Sequence, residues 1–209
     1  MQKENQRIKN IFRILNDLYP EPTTELHYQT PFQLLIAVVL SAQSTDKGVN
    51  KATSQFFHKI KEPEDLNQLS QKDIEQLIKT IGLYQAKARY LKDLSAQLIH
   101  HFDSKVPSTR EELMTLSGVG RKTANVVLNT LYGDEVIAVD THVLRVSQRL
   151  GLSLRSTPLG VEEDLMLCIP KDMLKDAHHH LILHGRYTCK ARRPLCGQCP
   201  LQALCNYPL

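Results

Sequence analysis

Cysteine is concentrated near one end of this chain. Five are present, and four of them, Cys189, Cys196, Cys199 and Cys205, stand in the order C-x6-C-x2-C-x5-C within 17 residues. In a reducing compartment, thiols gathered this closely are metal ligands more readily than disulfide partners. Zinc ribbons and fingers usually present two short-spaced pairs with a longer loop between them. Here one C-x2-C is flanked by two wider steps, a compact tetrathiolate that suits a [4Fe–4S] cluster. Spacing by itself leaves zinc open. Cys168 lies outside the pattern and reads as a buried helix residue. Between the first two ligands run Lys190, Arg192 and Arg193; with Arg186 they place four positive charges in eight residues that contain no acid. Such a patch neutralises phosphates. Tethering both ends of the loop at a metal would hold the cations in place with less ordering cost.

A second concentration of chemistry is Leu116-Ser117-Gly118-Val119-Gly120-Arg121-Lys122. Two glycines permit positive φ and leave backbone N–H groups unshielded. The start of the helix that comes next favours an anion such as a DNA phosphate, with Val119 supporting the turn from the core. Lys122 falls in the first turn of that helix, where an ammonium is unfavourable. A nucleophilic amine must be neutral, and a cleft, Arg121 and the helix dipole would all favour that form. The hairpin alone leaves both readings of Lys122 open, phosphate binder or nucleophile. Asp140, in Val139-Asp140-Thr141-His142, reads first as a helix N-cap. A carboxylate has two oxygens, so capping and catalysis can coexist.

The elements that must position these groups are helical. Val49, Ala52, Phe56 and Ile60 recur at i, i+3, i+7 and i+11, one face of a helix entered through Thr45-Asp46. Ile74, Leu77, Ile78 and Ile81 repeat the pattern, with Gly82 as the stop. Leu91, Leu94, Leu98 and Phe102 give another stripe. Ser108-Thr109-Arg110-Glu111 fits a capping box. Ala124, Val127, Leu128 and Leu131 form the buried face behind the hairpin, and Val139–Leu150 predicts a helix ended by Gly151. A run of histidines, His178, His179, His180 and His184, reads as surface and groove polarity on a helix rather than a metal site. No set of alternating strands is found. The expectation is an all-α protein of about nine or ten helices with short connections. A composition shift at Tyr132-Gly133-Asp134 marks a boundary with no long linker, so two domains would pack together.

Composition adds exclusions. Apolar residues make up 42 % and charged residues 23 %, ordinary for a soluble globular protein. The net charge of +4 is too weakly basic to indicate nucleic acid unaided. The first twenty residues mix charges with Ile8, Ile11, Phe12, Leu15 and Leu18, and no secretory signal is expected. The longest apolar run, Leu34–Leu40, is too short to span a bilayer. A cytoplasmic, nucleoid-associated protein with no membrane partner is expected.

Taken together, Leu-Ser-Gly-Val-Gly-Arg-Lys-Thr-Ala-Asn-Val-Val (116–127) and Val-Asp-Thr-His (139–142) resemble the signature of the helix-hairpin-helix DNA glycosylases. The cysteine spacing resembles the iron–sulfur motif of their endonuclease III branch. The resemblance covers essentially the whole chain. It implies two packed helical domains: a six-helix barrel over 23–133, with the hairpin at about 109–132, and a [4Fe–4S] cluster domain formed by 1–22 with 134–209. It implies that Lys122 attacks the sugar C1′ and forms a Schiff base that permits β-elimination, and that Asp140 faces it across a cleft and stabilises charge at C1′. Gln43, in Ser41-Ala42-Gln43-Ser44, matches the glutamine that enters the base stack, and Leu83, in Gly82-Leu83-Tyr84, an apolar wedge beside it. From the residues alone these would be a loop glutamine and a core leucine. Backbone at Gly118, Val119, Gly120 and Arg121, and side chains of Lys190, Arg192 and Arg193, would contact DNA. The substrate would be double-stranded DNA with an oxidised pyrimidine or an abasic site, bound by a monomer. Two departures stand out: Ser117 where the family commonly has proline, and His180 where it usually has an aromatic. An adenine or mismatch glycosylase of the same superfamily is disfavoured by Lys122. A non-catalytic hairpin module with structural zinc leaves Lys122 and Asp140 together without purpose.

Overall fold

A chain with no alternating segments has only helices with which to satisfy its buried backbone. Among the described residues, 2–207, all regular structure in the computed structural model is helical. The chain divides into two compact units: Glu25–Tyr132, and the N-terminal segment through Thr24 together with the chain from Gly133 onward.

The N-terminal helix α1 (Gln2–Leu18) belongs to the second unit. Glu25–Tyr132 is built around α2 (Pro31–Ser41), in which every residue from Phe32 to Leu40 is buried. Apart from Gln33, such a helix is apolar all round and has to be covered all round. Thr30 caps its start, accepting from Gln33 N at 3.2 Å, and Pro31 occupies the first turn where no donor is needed. Next come α3 (Asp46–Thr53), α4 (Pro63–Asn67), α5 (Gln71–Ile78) and α6 (Tyr84–His101). The unit closes with α7 (Arg110–Leu113) and α8 (Arg121–Val127), which one π-helical turn extends over Leu128–Tyr132.

Within this unit, three sequence expectations need correction. The apolar stripe through Phe56 and Ile60 keeps its burial but not its helix: α3 ends at Thr53, whose hydroxyl bonds back to Val49 O at 3.0 Å. The turns beyond it are held by the buried Gln33 amide, which donates to Phe57 O at 2.7 Å and Ile60 O at 2.8 Å. Second, α5 stops at Ile78, short of Gly82, and Ile81 is buried from a turn. Third, the cap of α7 is Thr109, not Ser108. Its hydroxyl accepts from Glu112 N at 3.3 Å and donates to Glu112 Oε2 at 2.7 Å, a register that turns Leu113 into the core.

The second unit joins α1 to α9 (Thr141–Arg149), α10 (Pro158–Cys168) and α11 (Lys171–Tyr187). Its core includes Ile8, Ile11, Phe12 and Leu15 of α1 with Val143, Val146, Leu165, Leu174 and Leu181. The eleven α-helices among the described residues exceed the expected nine or ten because α4 and α7 are only five and four residues long.

The histidine run is not surface polarity. His178, His179, His180 and His184 are all buried, because α11 packs against both α1 and α9 and has little surface left. Nε2 of His180 lies 3.1 Å from Tyr19 O, and the His178 and His179 rings meet edge-on at 4.8 Å. Burial pushes His179 down to about 4, assisted by His180 and Arg186 and opposed by Asp176. An unfolded chain therefore binds this proton at higher pH than the folded one. His179 contributes stability in full above about 6.5, and that contribution is lost as pH falls towards about 4. In that window unfolding free energy should decline by up to about 1.4 kcal/mol per pH unit for this one group. Denaturant titrations between pH 7 and 4.5 should show a shallower decline in His179→Gln; an unchanged slope would mean that His179 does not carry this pH dependence.

Candidate active site and metal centre

The hairpin is built as its sequence implies, with one difference. Only Gly118 uses positive φ, at +79°, and a Cβ there would come within 2.9 Å of Tyr90 Cβ on α6. Gly120 is an ordinary extended residue at φ −96°, and a Cβ on it would meet nothing within 4 Å. Val119 is buried and its N–H donates to Leu116 O at 3.1 Å, so neither group is offered outward. The glycines on either side of it are exposed. Ser117 is held by Gln97, whose Oε1 accepts its N–H at 2.7 Å. Across the hairpin, Arg110 Nε donates to Oδ1 of the buried Asn125 at 2.8 Å. Lys122 is the second residue of α8, directly behind this turn, with Arg121 before it. Both are exposed, so the free fold does not itself provide the desolvation expected around the lysine.

Elsewhere in the same unit, Gln43 and Leu83 share a feature that their sequence context does not announce. Both have left-handed backbone, φ +54° and +59°, and both are exposed. Leu83 is 62 % exposed, which rules out the core-leucine reading. The two loops touch: a Cβ on Gly82 would sit 3.7 Å from the Gln43 carbonyl oxygen. Non-glycine residues in this region cost roughly 1–2 kcal/mol and persist only where surroundings impose them.

Asp140 lies in the second unit, as the N-cap of α9. Oδ1 accepts both His142 N and Val143 N, each at 2.8 Å. Capping thus engages one oxygen and leaves Oδ2 out of these bonds. The helix it begins is locked to α11: a Cβ on Gly185 would approach His142 Cβ to 2.9 Å, and Arg145 Nη2 donates to Gly185 O at 2.8 Å.

Cys189, Cys196, Cys199 and Cys205 are all free thiols, and all four line one cavity of about 250 Å³. Among the described residues no three metal-ligating side chains gather tightly enough to share a single ion. Four thiols lining one cavity, in the order C-x6-C-x2-C-x5-C, suit a [4Fe–4S] cluster. The surroundings also fit an anionic centre. Arg149 Nη1 lies 3.4 Å from Cys189 Sγ, and His184 Nε2 lies 3.7 Å from Cys199 Sγ. Burial raises the Cys199 thiol, with the three neighbouring cysteines adding to it, an opposition that a bound metal reverses. Lys190, Arg192 and Arg193 are exposed on the loop between the first two cysteines. Arg149 was not singled out by sequence, yet it ties that loop down, donating to Lys190 O at 2.8 Å and Ala191 O at 3.1 Å. Cys168 stands apart, half-buried at the end of α10, its thiol pushed up to about 11 by burial.

Comparison with known proteins gives two family matches. Residues 36–171 match the HhH-GPD superfamily of base excision DNA repair proteins, and residues 189–205 match the iron–sulfur binding domain of endonuclease III. The chain is 48 % identical over 204 residues to endonuclease III of Haemophilus influenzae, covering 98 % of this chain and 96 % of that one. It is 47 % identical to endonuclease III of Escherichia coli K12, with 92 % of each covered. Among solved structures, a trapped endonuclease III–DNA covalent intermediate is similar at TM-score 0.91 and 48 % identity, covering 96 % of this chain and 95 % of that one. A thermostable thymine-DNA glycosylase is similar at TM-score 0.87 and 26 % identity, with 97 % of each covered.

The two hairpin glycines should respond differently to the same substitution. Gly118→Ala forces a methyl into Tyr90 at positive φ and should cost about 1–3 kcal/mol in denaturant unfolding. Gly120→Ala should change stability by less than about 0.5 kcal/mol. Equal losses would mean that the hairpin backbone is not as described.

Proposed function

We propose a function on the premise that this chain belongs to the endonuclease III family of HhH-GPD base excision DNA repair proteins. It is a bifunctional DNA glycosylase and abasic-site lyase, it binds DNA, and its cofactor is a [4Fe–4S] cluster.

The observation that carries the residue assignment is Lys122 in the first turn of α8, exposed directly behind a turn that presents Gly118 and Gly120 outward. Backbone at Gly118, Gly120 and Arg121 receives DNA phosphate. Val119 serves as the buried prop of the turn. Lys122 Nζ, in its neutral form, attacks C1′; the bond to the base breaks and the base leaves with a proton. The C1′–O4′ bond then opens, O4′ taking up a proton as Lys122 Nζ gives one up, and the Schiff base so formed acidifies C2′; loss of a C2′ proton expels the 3′ phosphate. DNA closing over Lys122 supplies the desolvation that the free fold lacks. Asp140, with Oδ1 engaged as cap, uses Oδ2 to stabilise positive charge at C1′ and to assist proton transfer. Gln43 and Leu83 enter the duplex where the target nucleotide leaves it.

Cys189, Cys196, Cys199 and Cys205 would hold the cluster as thiolates, and its iron would tie both ends of the intervening loop to one point. Lys190, Arg192 and Arg193, on the loop that Arg149 fastens, grip the DNA backbone. The substrates are oxidised or saturated pyrimidines such as thymine glycol, and abasic sites, in double-stranded DNA. The enzyme acts as a monomer at the nucleoid. No helix among the described residues is long and apolar enough to cross a membrane. The zinc-bearing, non-catalytic reading is not favoured, given relatives that match nearly the full chain as endonuclease III.

Borohydride trapping on abasic-site duplex tests the nucleophile. Wild type should form a covalent adduct and Lys122→Gln none; trapping by Lys122→Gln would refute the assignment. Asp140→Asn preserves the cap, since asparagine caps as well as aspartate, and should slow base release by on the order of 10²- to 10⁴-fold at unchanged thermal stability. The purified protein should also contain iron and acid-labile sulfide in equal amounts, lost together in Cys196→Ser, with zinc content in their place as the contrary result.

A further inference from the structure

Lys87 is a charged residue in an uncharged place. It sits one turn into α6, 4 % exposed, and burial holds its amine below the usual lysine range. Its ammonium donates to Leu40 O at 2.9 Å, Ala42 O at 2.6 Å and Ser44 Oγ at 3.2 Å, one acceptor for each of its three hydrogens. Leu40 and Ala42 lie at the C-terminal end of α2, where carbonyls lack intrahelical partners and the helix dipole favours a cation. Lys87 thus caps α2 from a different helix.

The acceptors bracket Gln43, the residue between Ala42 and Ser44 whose backbone is held left-handed. The other end of the same residue is tied to the second loop: Lys87 N donates to Leu83 O at 3.0 Å, so Lys87 is one helical turn from Leu83. One residue therefore joins Leu83, through its main chain, to the residues on either side of Gln43, through its ammonium. We propose that Lys87 is a positioning residue that holds Gln43 and Leu83 in register for entry into the duplex. The inference rests on the proposed entry of Gln43 into the duplex, where it would address the base left without its partner.

The test uses the holoenzyme and two substrates. Duplex DNA carrying thymine glycol requires entry into the stack, whereas a single-stranded abasic oligonucleotide offers no partner base to address. Lys87→Met keeps the apolar stem and removes the donors. Excision kcat/KM on the duplex should drop on the order of 10- to 100-fold, with β-elimination on the single strand changed by less than about two-fold. The fluorescence change of 2-aminopurine opposite an abasic analogue should shrink in Lys87→Met and in Gln43→Ala alike. The double variant should be no worse than the worse single, because both changes remove one function. Ser44→Ala deletes one acceptor at a half-exposed position and should move the duplex reaction in the same direction, which carries the test if Lys87→Met does not fold. Parallel losses on both substrates, multiplicative effects in the double variant, or a duplex reaction indifferent to Ser44→Ala and to any folded Lys87 variant would overturn the proposal alone. An unaltered Gln43→Ala enzyme would overturn the role of Gln43 and this proposal with it.

Discussion

A helix buried from Phe32 to Leu40 has to find partners for its last buried carbonyls inside the protein, and Glu25–Tyr132 is arranged around that constraint. Pro31–Ser41 needs partners at both ends, and leaving one buried carbonyl without a donor costs about 1–3 kcal/mol. At its start, Thr30 caps and also donates to Lys61 O at 2.8 Å, and the Gln33 amide reaches the carbonyls of Phe57 and Ile60. At its end, an ammonium arrives from another helix. Each satisfied group fixes a stretch of chain that has no regular structure of its own. The turns after α3 owe their shapes to side chains from the start of α2, and the loop carrying Gln43 to the capping of its end, as much as to their own residues.

The second unit meets a different difficulty. Its cysteine segment is almost all coil, with single 3₁₀ turns at Cys196–Gln198 and Gln202–Leu204, and has many carbonyls to satisfy. Guanidinium groups answer this, because one planar fork can serve several acceptors. Arg7, from α1, donates to Leu150 O at 2.8 Å and Leu204 O at 2.7 Å. Arg145 donates to Cys189 O at 3.1 Å, and Arg149 serves Lys190 and Ala191 while stacking 4.3 Å from the Tyr207 ring centroid. The two ends of the chain are joined through such contacts. Gly185 completes the arrangement by letting α9 and α11 approach closely, so the helix that begins at Asp140 and the helix that leads into Cys189 behave as one block.

What sequence could show was what is local. The turn at Gly118, the start of α8 at Arg121, the Thr45 and Asp140 caps and the cysteine spacing all depend on near neighbours, and the helical character of the chain comes from periodicity. Burial was legible even where secondary structure was not, as Phe56 and Ile60 show: apolar spacing records which residues face inward, while Thr53 and Gln33 decide whether the backbone there is helical. The histidines misled because their type averages polar, whereas two helices covering α11 determine their exposure. Lys87 and Arg149 were invisible for a plainer reason. Their partners lie roughly forty or more residues away in sequence, and no short pattern distinguishes a lysine that caps a distant helix from one that faces water.

If Gln43 and Leu83 enter the duplex as proposed, their left-handed backbone bears on how such an enzyme spends its time on undamaged DNA. A protein sliding along a duplex under electrostatic attraction meets a vast excess of normal base pairs. A probing loop that had to order itself at each would add a conformational wait to every encounter. Here the shape is present beforehand, imposed by contacts within the protein. The dwell at each base pair is then governed by the compliance of the DNA, and lesions that have already weakened stacking yield first. Under that role, discrimination falls to a property of the damaged duplex.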